Sequence, residues 1–209
     1  MRVLVACEFS GVVRRAFRAL GHYVYSVDLL PAEDGADEYM RSEDTGFHHQ
    51  GDILEFLEDT ARIPGLEWDL MIAHPPCTYL CNSGVRWLAT DPTRMTKVRH
   101  AAEFFKALLD APIPRIAVEN PVMHKYGAEI IGRRQDQIVQ PWWFGHGEVK
   151  ATGLWLKNLP KLVPTSIVDG RHPRVHRASP GPDRWKERSR TYTGLAEAMA
   201  QQWGGNERE

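Results

Sequence analysis

Short apolar runs alternate with amphipathic segments along this chain, and that alternation constrains the fold more than any other feature. The apolar runs have the length and the β-branched or aliphatic composition of buried strands, and polar residues, Gly or Pro end them. They are residues 2–6, 22–27, 69–73, 115–118 and 154–156. Strands separated by helices predict an α/β fold whose sheet is mostly parallel and covered by helices on both faces.

The segments between the strands carry the apolar spacing of helices. Val13, Ala16, Phe17 and Leu20 recur at i, i+3, i+4 and i+7, and Gly21 stands where a helix ends. The same pattern predicts further helices at residues 53–61 with Asp52 as N-cap, at 98–109, and at 195–203 followed by Gly204.

Composition limits the classes to which the chain can belong. Its 209 residues fit one domain, and 43% hydrophobic with 25% charged residues exclude disordered, collagenous and coiled-coil proteins. No apolar run approaches the roughly 18 residues of a membrane span, and the N-terminal run is too short for a secretory signal. Three cysteines without a C-x-x-C pair indicate a reducing compartment and no zinc site, so a cytoplasmic protein without a metal is expected.

The net charge of −1 conceals two blocks of opposite sign. Between Asp28 and Asp69 there are thirteen acidic and two basic residues, and part of this block, residues 31–45, is predicted as a surface loop. Between Arg171 and Arg190 there are seven basic and two acidic residues. A basic block of this kind either contacts a polyanion or forms a solvated loop, and both interpretations stay open at this point.

Polar side chains stand at the carboxyl ends of the predicted strands, which is where open α/β sheets bind their ligands. The residues that follow successive strands or segments are Glu8-Phe9-Ser10-Gly11, Asp28, Asp52, Pro75-Pro76-Cys77 and Glu119-Asn120-Pro121. A single acidic residue in this set is weak evidence for a ligand site, because a residue such as Asp52 serves equally well as a helix cap.

The pair formed by Pro75-Pro76-Cys77 and Glu119-Asn120 is the most informative of these. Two prolines fix the backbone before Cys77 and direct its thiol into the crevice. A carboxylate on the next strand can bind the same substrate, which suits nucleophilic addition to an electron-poor ring that the acid helps to protonate. A lone cysteine is more often an inert buried thiol, but the spacing of both partners favours a nucleophile.

Taken in order, these motifs resemble the cytosine-C5 DNA methyltransferase family, and above all its short phage-type members. The resemblance runs from Val3 to Trp203 and implies a Rossmann-like, S-adenosylmethionine-dependent methyltransferase fold. It also implies methyl transfer to C5 of cytosine in DNA, through a covalent adduct on a base flipped out of the duplex. Cys77 is the implied nucleophile, Glu119 engages the N3 and N4 edge of cytosine, and Asn120 completes the Glu-Asn motif.

The resemblance assigns a cofactor site as well. Phe9-Ser10-Gly11 matches the S-adenosylmethionine loop, Asp28 matches the acid that binds the ribose, and Asp52 matches the acid that meets the adenine. The segment 193–198 resembles the last motif, which packs against the cofactor. The implied cofactor-binding residues are Glu8, Phe9, Ser10, Gly11, Asp28, Leu29, Asp52, Ile53 and Pro75.

The chain departs from the family pattern at three places. Val12 and Val13 stand where the family has further glycines, and Lys150 and Thr152 lie in a segment that normally carries a Gln-x-Arg-x-Arg pattern. Lys150 is therefore a catalytic candidate with a point donor in place of a guanidinium fork. Only residues 160–190 replace the target-recognition domain, between a catalytic and cofactor-binding domain at 1–159 and a returning C-terminal helix at 191–209.

DNA binding is expected to rest on the basic side chains of this short segment and on the loop after the nucleophile. Contacts to phosphate carry no sequence information and weaken with salt, so a short target is expected. The implied DNA-contacting residues are Arg86, Arg171, Arg174, Arg177, Arg184, Lys186, Arg188 and Arg190. We expect a monomer in the cytoplasm, or in the host cytoplasm if a phage encodes the protein, with no membrane or metal partner.

Other interpretations stay open beside this one. Transfer to C5 in RNA employs two cysteines, but Cys81 lies four residues after Cys77, which does not match that family and makes Cys81 an expected bystander. A free pyrimidine nucleotide is another substrate, because the recognition domain is missing. A catalytically idle DNA-binding relative is a further alternative. Adenine N6 transfer fits least, since His74, which we expect to be structural, and Cys77 replace the residues that it needs.

Overall fold

A seven-stranded sheet forms the centre of the computed structural model, which describes residues 1–36, 47–177, 181 and 184–205. The strands are β1 Arg2–Ala6, β2 Tyr23–Asp28, β3 Phe47–Gln50, β4 Leu70–Ala73, β5 Arg115–Pro121, β6 Gln137–Val139 and β7 Thr152–Lys157. They lie side by side in the order β3-β2-β1-β4-β5-β7-β6. The first five strands are parallel, and β7 pairs antiparallel with both β5 and β6.

Helices cover both faces of the sheet. The α-helices within the described residues are α1 Val12–Ala19, α2 Ile53–Ala61, α3 Arg94–Leu109, α4 Lys125–Ile131, α5 Arg174–Arg177, α6 Arg184–Ser189 and α7 Thr193–Trp203. Two 3₁₀ helices, Asn82–Ala89 and Pro141–Trp143, lie on the connections. The predicted fold class, a Rossmann-like α/β fold with a mostly parallel sheet, is confirmed. Along the described part of the chain, each helix is too short or too polar to cross a bilayer.

Two apolar cores lie on the two faces of the sheet, because side chains alternate along each strand. On one face, Leu4 and Met71 pack with Phe105 of α3. On the other face, Ile72 packs with Trp203 of α7, in a core that α1 also joins. All four residues of β4 are buried, as expected for a central parallel strand covered on both sides.

The strand order reverses between β1 and β4, and this reversal positions the site. The chain leaves β1 towards β2 and β3 on one side, and it continues through β4 and β5 on the other. Ala6 pairs with Ala73, and Ala73 pairs with Val118. The residues directly after these three strand positions are therefore neighbours at the crevice where doubly wound sheets bind ligands.

The sequence patterns do not predict β3, β6 or α4. β3 contains two adjacent histidines, His48 and His49, so it lacks the alternation of apolar and polar residues that marks a strand. β6 has three residues and α4 has seven, lengths at which periodicity carries little signal. The predicted surface loop at 31–45 lies outside the described residues from position 37 onward.

The basic segment at 160–190 is partly helical, whereas a solvated loop was one of the two interpretations of its basic block. It contains the short helices α5 and α6 and returns to the preceding segment through bridges that pair Phe144 with Ser166 and Glu148 with His172. Positions 178–180 and 182–183 of this segment lie outside the described residues.

The start of α7 has room only for a glycine at position 194. A Cβ atom on Gly194 would collide with the backbone oxygen of Phe144. We expect Gly194→Ala to lower the free energy of unfolding by about 1–3 kcal/mol, the typical cost of overpacking. Gly181→Ala is the matched control, because no atom lies within 4 Å of the Cβ position there. Chemical denaturation measures both variants, and equal stability of the two would contradict this account.

Candidate active site

One cleft opens at the carboxyl ends of β1, β4 and β5, where the strand order reverses. Its walls are residues 8–10, residues 74–77 and Glu119. Lys150, from the connection before β7, and residues 188–191, at the end of α6, close it. Its volume is about 100 Å³, below the roughly 300–1,000 Å³ of pockets that hold small-molecule ligands. Residues 188–191 are among those that narrow it.

A buried carboxylate shapes the loop after β1. Glu8 Oε1 accepts a hydrogen bond from the backbone N–H of Val13 at 2.6 Å, and Oε2 accepts one from that of Arg14 at 3.1 Å. Both N–H groups belong to the first turn of α1, where helical N–H groups lack partners within the helix. Gly11 precedes the helix at a φ of 67°, a left-handed conformation that favours glycine. The predicted cofactor residue Glu8 thus joins the loop to α1 in this structure.

A histidine and a carboxylate lie side by side in the cleft. Ala73 pairs with Val118, so the next residues along the two strands, His74 and Glu119, are neighbours. His74 Nδ1 and Glu119 Oε2 are 3.0 Å apart, and 8% and 11% of the two side chains are exposed. Burial alone would raise the pKa of Glu119, but the hydrogen bond from His74 and the charges of Lys150 and His74 lower it below the ordinary glutamate value.

The nucleophile candidate Cys77 has a second thiol beside it. The backbone N–H of Cys81 donates to the Cys77 carbonyl at 3.0 Å, and this turn brings the two side chains into hydrogen-bond contact. The hydrogen bond with Cys81, burial and the charge of Glu119 raise the pKa of Cys77. The hydrogen bond from Cys77, with a further one from Ser83, lowers the pKa of Cys81 to about 5. The contact between the two thiols therefore raises the pKa of Cys77 and lowers that of Cys81.

The turn that carries Cys77 is held from two sides. On one side, His124 Nε2 donates to the Tyr79 carbonyl at 2.8 Å, while Nδ1 accepts from the backbone N–H of Gly127 at 3.1 Å. On the other side, Arg94 Nη2 donates to the Thr78 carbonyl at 3.0 Å, and the Arg94 guanidinium lies 4.8 Å from the Tyr79 ring centre. The starts of α3 and α4 thus fix the position of the thiol.

Lys150 acts electrostatically on both Glu119 and Cys77. Its Nζ donates to the Arg190 carbonyl at 3.3 Å and lies 5.8 Å from the ring centre of Tyr192. Its positive charge lowers the pKa of Glu119 and opposes the rise of the Cys77 pKa. Of the predicted catalytic residues, the structure brings Cys77, Glu119 and Lys150 together.

The predicted catalytic residue Asn120 lies outside the cleft. Alternate residues of a strand face opposite sides of a sheet, so Asn120 and Glu119 point away from each other. Asn120 is fully buried, and neither polar atom of its side chain has a hydrogen-bond partner within the described residues. A catalytic role for Asn120 stays a prediction.

The predicted cofactor residues fall into two groups. Residues 8–10 and Pro75 line the cleft, and Gly11 precedes α1 directly after them. The others, Asp28, Leu29, Asp52 and Ile53, lie at or just after the ends of β2 and β3. Asp28 accepts a hydrogen bond from the backbone N–H of Leu30 at 2.9 Å, and burial raises its pKa. Asp52 Oδ1 accepts from the backbone N–H of Leu54 at 2.7 Å, which confirms its predicted role as the N-cap of α2.

The remaining members of this set have contrasting surroundings. Leu29 is 70% exposed beside Asp28, whereas Ile53 is buried in the core. Cys7 lines the cleft. Burial and the charges of Asp28 and Asp52 raise its pKa, so it interacts with both of these acids. Its φ of 57° is strained for a residue with a side chain, and such strain is common beside functional sites.

Several predicted DNA-contacting residues bind the protein's own acids. Arg174 pairs with Glu148 at 2.8 Å, and Arg190 pairs with Glu33 at 2.7 Å. Arg188 lines the cleft, while Arg177 is exposed and Arg184 and Lys186 are half-buried. The basic block is therefore partly neutralised in this structure.

Two other predicted DNA contacts stack on tryptophans. The Arg171 guanidinium lies 3.7 Å from the centre of the Trp142 ring, and Arg86 lies 4.8 Å from that of Trp87. Trp87 is 47% exposed on the first 3₁₀ helix, close in sequence to the nucleophile. Arg86 and Trp87 thus form an exposed pair on the 3₁₀ helix that follows the turn of Cys77 in the chain.

The sequence interpretation missed three contributions to the site. His74 and Cys81 both lie in it, although the first was expected to be structural and the second a bystander. The spacing of one helical turn between Cys77 and Cys81 was a signal for their contact. The third contribution is α6, whose Trp185 packs on Phe9 at 5.9 Å between ring centres. The described residues bring together no group of three or more metal-ligating side chains.

Comparison with known proteins gives only distant likenesses. No family model matches the sequence, and neither does any curated protein. A candidate DNA modification methyltransferase encoded within an Escherichia coli prophage is 15% identical, with a TM-score of 0.47, over 80% of this chain and 52% of that one. The methyltransferase EhMeth of Entamoeba histolytica is 16% identical, with a TM-score of 0.48, over 80% and 57%.

An rRNA methylase from Escherichia coli is 17% identical, with a TM-score of 0.37, over 74% of this chain and 55% of that one. The chain thus spans little more than half the length of each of these solved structures.

Stability should depend on pH through Glu119. Its pKa in the folded protein lies below the ordinary value of 4.5, so its charge stabilises the fold above that pH and ceases to do so as the pH falls through the folded pKa. Glu119→Gln cannot ionise, so the advantage of the wild type should shrink between about pH 6 and about pH 3. Urea denaturation across this range measures it, with the exposed Glu103→Gln as control. A difference in stability between wild type and Glu119→Gln that stays constant over this pH range would contradict the lowered pKa of Glu119.

The thiol pair makes a prediction about alkylation. Iodoacetamide should modify Cys81 before Cys77 near neutral pH, because the lower pKa of Cys81 leaves more of it as thiolate. Cys77→Ala removes the S–H donor and should slow modification of Cys81 below about pH 5, where each unit by which the Cys81 pKa rises lowers its thiolate fraction about tenfold. Peptide mass spectrometry follows each site, and Cys7, whose pKa is raised, is the internal control. Faster modification of Cys77 would contradict the assignment.

Proposed function

We propose that this protein transfers a methyl group from S-adenosylmethionine to C5 of cytosine in DNA, with Cys77 as the nucleophile. The observation that carries the proposal is the convergence of Cys77, Glu119 and Lys150 in one cleft where the strand order reverses. A thiol, a carboxylate and an ammonium group together suit addition to an electron-poor pyrimidine. The resemblance of the surrounding motifs to the cytosine-C5 methyltransferase family supports the same function.

Cys77 is the group that activates the base in this proposal. C5 of cytosine is a weak nucleophile until another group adds to C6. The Cys77 sulfur bonds to C6, and its proton passes to the Cys81 thiolate with which it is in hydrogen-bond contact. Lys150 stabilises negative charge at the sulfur during this step. Once C5 carries the methyl group, a base removes the C5 proton, the bond from sulfur to C6 breaks, and Cys77 recovers its proton from Cys81.

The cofactor site is proposed at the ends of β1 and β2. Asp28 offers a carboxylate acceptor beside the largely exposed Leu29, and this donor chemistry and open surrounding fit the two hydroxyls of a ribose. Both oxygens of Glu8 are bound to α1, so Glu8 shapes the loop and Phe9 and Ser10 line the site itself. S-adenosylmethionine, when bound, supplies the methyl group as an electrophile.

DNA must present its base outside the duplex, because the cleft lies below the surface at the strand ends. Flipping a base costs a few kcal/mol, and least where the base is unpaired. Arg86 and Trp87, exposed beside the Cys77 turn, are the proposed occupants of the emptied stack. Residues 160–190 are proposed to take the place of a target-recognition domain, with Arg177 as an exposed phosphate contact.

Transfer to C5 of a pyrimidine in RNA is a second candidate function. The observation that favours it is the contact between Cys77 and Cys81, because enzymes of that class employ two cysteines. The two candidates share the nucleophilic step and differ in the nucleic acid, so a single trapping experiment with both polymers separates them.

Duplex DNA that carries 5-fluorocytosine tests the nucleophilic step. Fluorine at C5 cannot leave as a proton does, so the bond from Cys77 to C6 should persist after methyl transfer. We expect a covalent adduct with the wild type in the presence of the cofactor, and none with Cys77→Ala. Unmodified DNA is the matched control for each protein.

RNA with the same modified base forms the second arm of this experiment. An adduct on RNA alone would favour the second candidate function. Absence of an adduct on both polymers, in a protein that denaturation shows to be folded, would contradict the role of Cys77.

A further inference from the structure

His74 is a buried titratable residue in the cleft to which the proposed mechanism gives no task. Its backbone N–H donates to the Ala6 carbonyl at 2.9 Å, which ties it to the end of β1. Its ring nitrogen Nδ1 lies 3.0 Å from Glu119 Oε2 on β5, and 8% of its side chain is exposed. Pro75 follows directly and restricts the backbone further. Both the backbone and the ring are therefore fixed against neighbouring strands.

Glu119 meets the base as a carboxylate. The hydrogen bond from His74 and the charges of Lys150 and His74 outweigh burial and keep its pKa below the ordinary glutamate value. An ionised carboxylate accepts hydrogen bonds and has no proton to give. Addition of Cys77 to C6 raises the electron density at ring atom N3, and a proton delivered to N3 lowers the barrier. Another group must supply that proton.

The charged groups around the pair point to His74 as the source. Asp28 interacts with His74 from the end of β2, and Lys150 acts on Glu119 from the connection before β7. Lys150 Nζ contacts the Arg190 carbonyl, whereas His74 is the side chain that is hydrogen-bonded to Glu119 itself. His74 Nδ1 carries a proton on the hydrogen bond to Glu119, while Nε2 has no partner among the described residues.

We propose that His74 and Glu119 form a proton-donating pair in which His74 supplies the proton that Glu119 delivers to N3 of the base. This inference rests on the proposed function and adds a positioning residue to it. As the Cys77 sulfur bonds to C6, the His74 imidazolium gives its Nδ1 proton to Glu119 Oε2, and Glu119 gives a proton to N3. His74 becomes neutral, Glu119 stays a carboxylate, and the ring adduct carries no net charge.

The return of the proton completes the cycle. When the bond between the Cys77 sulfur and C6 breaks, the electron pair returns to sulfur and the N3 proton passes back through Glu119 to His74. No proton is consumed at the pair over one turnover, so the pair needs no further reactant.

A substitution separates proton supply from mere support of Glu119. His74→Asn keeps an N–H donor on a short side chain but has no transferable proton, whereas His74→Leu removes the donor as well. The measurement is the single-turnover rate of methyl transfer to cytosine DNA from about pH 5.5 to about pH 8.5, together with KM for DNA. His100→Asn is the matched control, because His100 is exposed on α3.

His74→Asn should be about 100-fold slower than the wild type at the same pH, with KM for DNA unchanged, since general acid catalysis contributes at least that factor. The pH profiles of the two proteins should differ. A His74→Asn protein with the rate and pH profile of the wild type would overturn the inference and leave His74 as a support for Glu119.

NMR spectroscopy tests the contact between His74 and Glu119 independently of the proposed function. Long-range ¹H–¹⁵N spectra at about pH 6.5 report the protons on each ring nitrogen of His74. We expect the Nδ1 proton signal of the wild type to show the hydrogen bond to Glu119, and we expect Glu119→Gln to shift that signal because the substitution removes the carboxylate acceptor. Absence of methyl transfer with this spectral result would contradict the proposed function alone. A spectrum that Glu119→Gln leaves unchanged would contradict the pair.

Discussion

The register between β4 and β5 is the constraint on which the site depends. Because Ala73 pairs with Val118, the residues that follow, His74 and Glu119, meet at 3.0 Å, and the two prolines that come next turn the chain so that Cys77 lines the same cleft. A slip of one residue would move Glu119 to the opposite face of the sheet. The apolar residues of both strands hold this register, because they alternate between the two cores and a slip would move each of them into the core on the wrong face.

The helices and strands with regular apolar spacing could be predicted from the sequence, but the contacts between residues on different strands could not. Strands of continuous apolar residues and helices with repeated apolar spacing carry their signal locally, which is why β1, β4 and α7 match their predictions. The contact between His74 and Glu119 joins residues far apart in sequence and depends on strand register, so local patterns leave His74 without a role. Asn120 is the opposite case: it is adjacent to Glu119 in sequence, and for that reason it lies on the other face of β5, away from the cleft.

The basic segment illustrates the same limit for electrostatics. Its composition predicts a surface for a polyanion, yet Arg190 binds Glu33 and Arg174 binds Glu148 across long stretches of chain. The end of this segment also covers the cleft, where Lys150 contacts the backbone of Arg190. The positive charge of the basic block is therefore partly taken up within the protein.

Exchange of the hydrogen at C5 of cytosine tests the central claim, the attack of Cys77 on C6, most directly. Addition at C6 makes C5 basic, so reversal of the addition in heavy water replaces the C5 hydrogen with deuterium even without a methyl donor. Nucleoside mass spectrometry after incubation with DNA measures the incorporated deuterium. The account predicts incorporation by the wild-type protein and only the uncatalysed background with Cys77→Ala. Equal incorporation by both proteins, or background incorporation by the wild type, would contradict it.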